Sequence, residues 1–113
     1  MNGEKYIPLI VEELKKASPE KIILFGSYAY GIPNEESDLD IIVITPDEYM
    51  PVTNKERMQI HHQYNPLIKK FRRYIPIDLM VYTKTMFLKL QETGNSFSKE
   101  INQKGKVLYE AIN

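Results

Sequence analysis

Residues 24–44 read Leu-Phe-Gly-Ser-Tyr-Ala-Tyr-Gly-Ile-Pro-Asn-Glu-Glu-Ser-Asp-Leu-Asp-Ile-Ile-Val-Ile, and this stretch decides the fold. One apolar run ends at the dipeptide Gly26-Ser27, and a second run begins with Asp38 and Asp40. Residues at i and i+2 of a strand point to the same face, so these two carboxylates are predicted to lie side by side. Two adjacent carboxylates repel each other unless a cation lies between them, which favours a metal site over a purely structural strand.

Two further features strengthen this prediction only in combination. Asp78 lies in the apolar run 75–81, where a buried carboxylate needs a cation, hydrogen bonds or a raised pKa. A structural salt bridge would explain Asp78 equally well. Gly26-Ser27 is by itself most simply a tight turn, although backbone N–H groups at such a turn also bind phosphates. Together, three carboxylates and a phosphate-binding turn predict a two-metal site for phosphoryl or nucleotidyl transfer, with Mg²⁺ the expected ion.

The hydrophobic pattern predicts helices that alternate with short, apolar strands. This alternation indicates an α/β (α+β) fold, a small mixed β-sheet flanked by helices that bury at least one of its faces. Pro66 predicts a kink, or a junction of two helices, near Asn65. The predicted helices cover residues 6–17, 28–31 (a single turn), 53–74, 84–92 and 97–104, and the predicted strands cover 21–25, 38–45, 75–83 and 107–109.

Composition excludes several classes of protein. The chain has 113 residues, 15 basic and 15 acidic side chains, and therefore no formal net charge. Stable nucleic-acid binding is not expected from such a balance. No cysteine is available for disulfides or thiolate metal sites, and no apolar run is long enough to span a membrane. We expect a single domain over residues 1–113 in the cytoplasm, without a membrane partner. The basic run 69–73 is interpreted as a solvated helix face, although it could meet an acidic partner, RNA or a nucleotide.

The Gly-Ser turn, the Asp-x-Asp pair ten residues later and the later strand acid resemble the nucleotidyltransferases of the DNA polymerase β type. The length of the chain and its ending 105–110 resemble the minimal nucleotidyltransferase (MNT) branch, and the resemblance runs from residue 4 to residue 110. It implies a polymerase β-like fold. It also implies that Asp38 and Asp40 hold both metal ions, that Asp78 binds the catalytic metal and helps to activate the acceptor hydroxyl, and that Gly26 and Ser27 hold the terminal phosphates of the nucleotide.

The same resemblance implies a biological role. MNT proteins are typically paired with a HEPN-domain toxin, and they transfer AMP from ATP to a tyrosine hydroxyl of that toxin in a Mg²⁺-dependent reaction. A homo- or hetero-oligomer is compatible with this role. One position departs from the family pattern, because Tyr30 stands where the family usually has arginine.

Two alternatives to this role stay open. The first is an antitoxin that neutralises its partner by binding alone, without turnover. The second is a small-molecule nucleotidyltransferase of the aminoglycoside-modifying kind. The second is disfavoured because few residues follow Asp78 to form an acceptor-binding domain, so a partner subunit would have to supply one.

Overall fold

The structure, a computed structural model, describes residues 2–34 and 36–112. Its helices and strands alternate along most of the chain, in agreement with the sequence pattern. The helices are α1 (Ile7–Leu14), α2 (Ser27–Tyr30), α3 (Asn54–Ile68), α4 (Lys84–Thr93) and α5 (Ser96–Lys104). The strands are β1 (Lys21–Phe25), β2 (Leu39–Thr45), β3 (Ile77–Thr83) and β4 (Lys106–Glu110). Short 3-10 segments cover Asn2–Tyr6, Lys15–Ala17 and Lys69–Arg73.

The four strands form one mixed sheet in the order β3-β2-β1-β4. β1 pairs antiparallel with both β2 and β4, whereas β2 and β3 run parallel. A parallel pair needs a long crossover, and here the crossover contains α3 and the 3-10 segment Lys69–Arg73. The predicted mixed sheet flanked by helices is confirmed.

Helices cover both faces of the sheet. On one face, α1 and α3 pack over the larger core, which includes Ile10, Leu14, Ile60, Tyr64 and Ile68 from the helices. On the other face, α4 and α5 cover a cluster of five buried residues: Ile23, Ile42, Ile44, Phe87 and Ile101. Burial on both faces explains why the strands read as nearly continuous apolar runs instead of alternating ones.

The crossover helix differs from its predicted course. α3 begins with a capping box, in which the Thr53 side chain accepts from the Glu56 backbone N–H and the Glu56 carboxylate accepts from the Thr53 N–H. Pro66 lies inside α3, and the helix continues beyond it to Ile68 before the 3-10 segment begins. The expected junction near Asn65 is therefore wrong. The buried side chains of Tyr64 and Ile68 on either side of the proline anchor this part of the helix to the core.

The start of β2 also differs slightly from the prediction. Asp38 precedes the strand, which begins at Leu39. The backbone N–H of Leu39 donates to the carbonyl of Pro76 at 3.0 Å, so the start of β2 is hydrogen-bonded to the segment before β3.

Within the described residues, no helix combines the length and the apolar character that crossing a bilayer requires.

Candidate active site on the second face of the sheet

Asp40 and Asp78 lie directly opposite each other on neighbouring strands. In the parallel β2–β3 ladder Asp40 is paired with Asp78, and two positions further along Ile42 is paired with Met80. Alternation therefore places both carboxylates on the α4/α5 face, at the end where the small apolar cluster stops. The sequence predicted two of the three acids on one face, and the ladder adds the third from a distant part of the chain.

The environment of Asp40 disfavours its negative charge. Partial burial, followed by the charges of Asp78 and Asp38, raises the pKa of Asp40 to about 6 from its ordinary value of 3.8. This end of the sheet therefore carries a concentrated negative potential. A cation would relieve that potential most directly.

Asp78 is exposed, which corrects the expectation of a buried carboxylate. The residues on either side of it, Ile77 and Leu79, are buried, but they point to the opposite face. β3 is also the edge strand of the sheet, so the Asp78 side chain emerges beside solvent and not inside the core. An exposed carboxylate on an edge strand is open to a group that approaches from another molecule.

Asp38 lies at the mouth of the site and not in the strand. It is exposed, and it acts on Asp40 through its charge. In the described ranges 2–34 and 36–112, no group of three carboxylate or imidazole side chains is arranged so that it could hold a metal ion as it stands. The β2–β3 register and the charge of Asp38 on Asp40 nevertheless place the three acids at one end of the sheet, at the start of β2 and the start of β3.

Gly26 lies directly beside Asp40, at a position where the backbone and the neighbouring carboxylate require glycine. Its φ of 76° is in the region that favours glycine, and a Cβ built on it would collide with Oδ2 of Asp40. The register explains this proximity, because Phe25 is paired with Asp40 across the β1–β2 ladder. The Gly-Ser turn thus brings backbone to within contact distance of the acid, and α2 begins at the next residue, Ser27.

Tyr30, where the family pattern has arginine, is held by the last helix. Its hydroxyl donates a hydrogen bond to the Glu100 carboxylate, and the Lys104 ammonium lies over its ring, 5.2 Å from the centroid. The hydrogen bond to Glu100 and desolvation raise the pKa of Tyr30 above its usual range. Phe25 and Phe97 pack edge to face nearby, with ring centroids 5.6 Å apart.

Sequence reasoning missed Glu100 and Lys104 as neighbours of the site. Both lie on α5, whose position against α2 depends on contacts between segments about 70 residues apart. Because they are four residues apart on a helix, the sequence indicated only that their side chains point to the same side of α5. The sequence held no signal for which strand or helix that face would meet.

Comparison with known proteins agrees with this geometry. The family described as "Polymerase beta, Nucleotidyltransferase" matches residues 9–112. A protein of Methanocaldococcus jannaschii, "Putative protein adenylyltransferase MJ0604", is 33% identical over 112 residues, which cover 96% of this chain and 100% of the relative.

Solved structures show the same fold at lower identity. A "putative nucleotidyltransferase" from Sulfolobus solfataricus superposes with a TM-score of 0.60 at 18% identity, covering 94% of this chain and 78% of the other. A toxin-antitoxin structure with AMP-PNP superposes with a TM-score of 0.56 at 24% identity, covering 98% and 75%. The match over nearly the whole length and the relative of equal length lead to one conclusion: the chain belongs to the polymerase beta family of nucleotidyltransferases, in its minimal branch.

Proposed function

We propose that this enzyme transfers AMP from ATP to a tyrosine hydroxyl of a partner protein, a HEPN-domain toxin, and so acts as its antitoxin. The observation that carries the proposal is the in-register pair Asp40 and Asp78 beside the Gly26 turn. The full-length similarity to a relative named as a protein adenylyltransferase supports a protein acceptor. The fold shared with a toxin-antitoxin structure that contains AMP-PNP supports ATP and a toxin partner.

The reaction is a displacement at the α-phosphorus of ATP. The acceptor oxygen forms a new bond to the α-phosphorus, the bond from that phosphorus to the bridging oxygen of the β-phosphate breaks, and pyrophosphate leaves. The proton of the acceptor hydroxyl passes to the Asp78 carboxylate, which is exposed on the edge strand and open to an incoming side chain. Asp78 is thus assigned the role of general base.

The residues present fit Mg²⁺. Carboxylate oxygens are the ligands that this ion prefers, and burial together with the charges of Asp78 and Asp38 raises the pKa of Asp40, which a bound cation would oppose. We assign Asp38 and Asp40 to two ions and Asp78 to the catalytic one. When bound, the ions stabilise the charge that develops on the attacking and leaving oxygens.

Gly26 and Ser27 are assigned to the terminal phosphates of the nucleotide. The missing side chain at Gly26 lets the Asp40 carboxylate lie against the turn, and Ser27 adds a hydroxyl at the first position of α2. Backbone N–H groups in such a turn bind anionic oxygens without introducing a further charge. Nucleotide phosphates on the β1 side and the acceptor on the β3 side would then flank Asp40.

The direct test is transfer itself. The chain is incubated with Mg²⁺, ATP and a coexpressed HEPN partner, and intact mass spectrometry of the partner is expected to show the gain of one or more AMP groups. Chelation of Mg²⁺ by EDTA is expected to abolish the gain, and added Mg²⁺ to restore it. Full transfer by the Asp38→Asn, Asp40→Asn double variant would refute the metal assignment.

The role of Asp78 has its own test. Asp78→Asn is expected to lower turnover by about 10²–10⁴-fold, because a general base contributes about that much, and to change nucleotide affinity far less. Rates come from quenched transfer reactions and affinity from titration with a fluorescent ATP analogue. Lost nucleotide binding with unchanged turnover per bound nucleotide would show that the assigned role is wrong.

Binding without turnover is the second candidate, and Tyr30 is the observation that favours it. A cation that the family usually places here is replaced by a hydroxyl bonded to Glu100. Under this alternative, the chain protects against the toxin although the partner gains no AMP, and the double Asn variant protects equally well. Protection that disappears in the double variant, while the complex still forms, supports the enzyme.

A further inference from the structure

Positive charge is concentrated in the segment that precedes β3, the strand that carries Asp78. The chain as a whole is neutral, yet no acidic residue occurs between Glu56 and Asp78. The 3-10 segment Lys69–Arg73 in this interval reads Lys-Lys-Phe-Arg-Arg, and its four cationic side chains are exposed. The formal balance of the chain therefore conceals a basic surface at one place.

This surface is fixed to the strand that carries Asp78. Arg72 donates from Nη1 to the carbonyl of Ile77 at 2.5 Å and from Nη2 to Oδ1 of Asn65 at 2.8 Å. Ile77 immediately precedes Asp78, and β3 is the edge strand. The Arg72 guanidinium therefore lies at the outer edge of the sheet, next to the residue assigned to the acceptor.

An exposed aromatic side chain extends the same surface. Tyr74 is 61% exposed and stacks on Tyr6, with centroids 5.5 Å apart and ring planes 15° apart. The Arg73 guanidinium lies over the Tyr74 ring at 5.5 Å. We call the group of Lys69, Arg72, Arg73 and Tyr74 the basic edge.

The order of strands decides which ligand the basic edge faces. Crossing the sheet from β1 to β3, one meets Gly26, then Asp40, then Asp78, and Arg72 of the basic edge donates to Ile77 on this outer strand. Neighbouring strands are about 4.8 Å apart, so roughly 10 Å of sheet separates the β3 edge from the turn assigned to the nucleotide phosphates. The basic edge is therefore placed to meet the acceptor and not the triphosphate.

We propose that the basic edge docks an acidic segment of the acceptor protein, close to its acceptor tyrosine. This inference rests on the proposed function and specifies the partner chemistry. Charge complementarity argues for an acidic polypeptide, and Tyr74 offers the flat, half-polar surface that protein interfaces favour. RNA is disfavoured because a short basic edge on a neutral protein offers few phosphate contacts.

The test measures binding with defined probes in the absence of nucleotide. Two fluorescent peptides share a central tyrosine flanked by glutamates in one and by glutamines in the other, and a single-stranded RNA carries the same negative charge as the first. Fluorescence anisotropy at low salt is expected to show the Glu peptide binding about tenfold more tightly than the Gln peptide.

Charge reversal locates the binding surface. The Lys69→Glu, Arg73→Glu double variant is expected to remove the preference for the Glu peptide, and it leaves the anchored Arg72 in place. The matched control, Lys55→Glu with Lys89→Glu, makes the same charge change at exposed positions on α3 and α4, and affinity is expected to stay within about twofold. Equal affinity for both peptides, an equal loss in the control, or RNA that binds as tightly as the Glu peptide would overturn the proposal.

A transfer assay separates this proposal from the proposed function. With Mg²⁺ and ATP, the Lys69→Glu, Arg73→Glu variant is expected to raise the KM for the Glu peptide about tenfold and to leave the KM for ATP unchanged. AMP transfer with equal KM for the Glu and Gln peptides would refute the docking surface alone. Tight, variant-sensitive binding of the Glu peptide without AMP transfer to any acceptor would refute the proposed function alone.

Discussion

The two faces of β2 differ sharply, although their residues alternate along a single strand. Leu39, Ile41 and Val43 face α1 and α3 within the larger core, whereas Ile42 and Ile44 face the small cluster under α4 and α5. The second face ends in Asp40, whose pKa is raised, and the first face has no comparable charge. One face of β2 therefore stabilises the fold, while the end of the other face tolerates an unfavourable arrangement of carboxylates.

The largest expected effect is on the acidic end of the second face. Asp40→Asn is expected to reduce AMP transfer by about 10³-fold, the loss typical for removal of one electrostatic contact to a transition state. Its free energy of unfolding is expected not to fall, because the variant removes repulsion and no packing. Transfer rates and urea unfolding of the same preparation test both statements. A large loss of stability would show that the two faces are not separable.

The next effect concerns the first face. Ile41 is fully buried there, and Ile41→Ala is expected to lower the free energy of unfolding by about 4 kcal/mol through lost burial and a cavity. Ile44→Ala, in the smaller cluster, is expected to cost about 2 kcal/mol, since fewer buried neighbours surround it. Urea denaturation followed by circular dichroism measures both. Equal costs for the two variants would remove the distinction between the cores.

Two glycines provide a matched pair for the turn. Gly26→Ala forces a Cβ against the Asp40 carboxylate, while Gly94, also at positive φ, has open space around its would-be Cβ. Gly94→Ala is expected to cost about 1–2 kcal/mol of stability from backbone strain, and Gly26→Ala is expected to cost more, because its φ of 76° and ψ of −161° lie in a region that is essentially restricted to glycine. Transfer is expected to fall about 10²-fold in Gly26→Ala alone, because displacement of Asp40 misplaces the reacting groups. Equal activity in the two variants would contradict the contact between turn and acid.

The smallest effect is a dependence of stability on pH. Because the pKa of Asp40 in the folded state, about 6, lies above its ordinary value, the proton stabilises the fold at low pH. That contribution is complete below about pH 4 and is lost as the pH rises through about 6. In EDTA, Asp40→Asn is therefore expected to be more stable than the parent chain by about 1 kcal/mol near pH 7.5, allowing for solvent screening, and about equal to it near pH 4.

Unfolding by urea at both pH values measures this difference. Glu92→Gln, which removes an exposed carboxylate on α4, is the control and is expected to change stability little at either pH. A stabilisation by Asp40→Asn that is the same at both pH values would show that the partly buried charge of Asp40 is not its cause.

Local pattern was sufficient to predict most helices and strands, and also the face that Asp40 occupies. The alternation of side chains around Asp40 is a property of a single strand, so the face that Asp40 occupies can be predicted without knowing which strands lie beside it. The same reasoning misjudged the exposure of Asp78, because its apolar neighbours Ile77 and Leu79 are buried on the opposite face of the strand. It also expected a kink or a junction of two helices near Asn65; the junction is wrong, because α3 continues to Ile68 with Tyr64 and Ile68 packed against the core, and the kink stays a prediction.

The register between β2 and β3 could not be predicted, since it depends on pairing across a long crossover. The contact between Tyr30 and Glu100 could not be predicted for the same reason, because it joins α2 to a helix 70 residues further along the chain. The sequence therefore predicted which acids would lie together, while the fold decides their exposure and what surrounds them.

The parallel pairing of β2 with β3 has a kinetic consequence. Asp40 and Asp78 are about 40 residues apart in the chain, whereas Gly26 and Asp40 meet across the much shorter connection between β1 and β2. Closing the longer loop costs more entropy, and contacts of such sequence separation tend to form late in folding. The contact between Gly26 and Asp40 is therefore expected to form before the pairing of Asp40 with Asp78, so that a partly folded chain can gain the turn beside Asp40 without the second carboxylate.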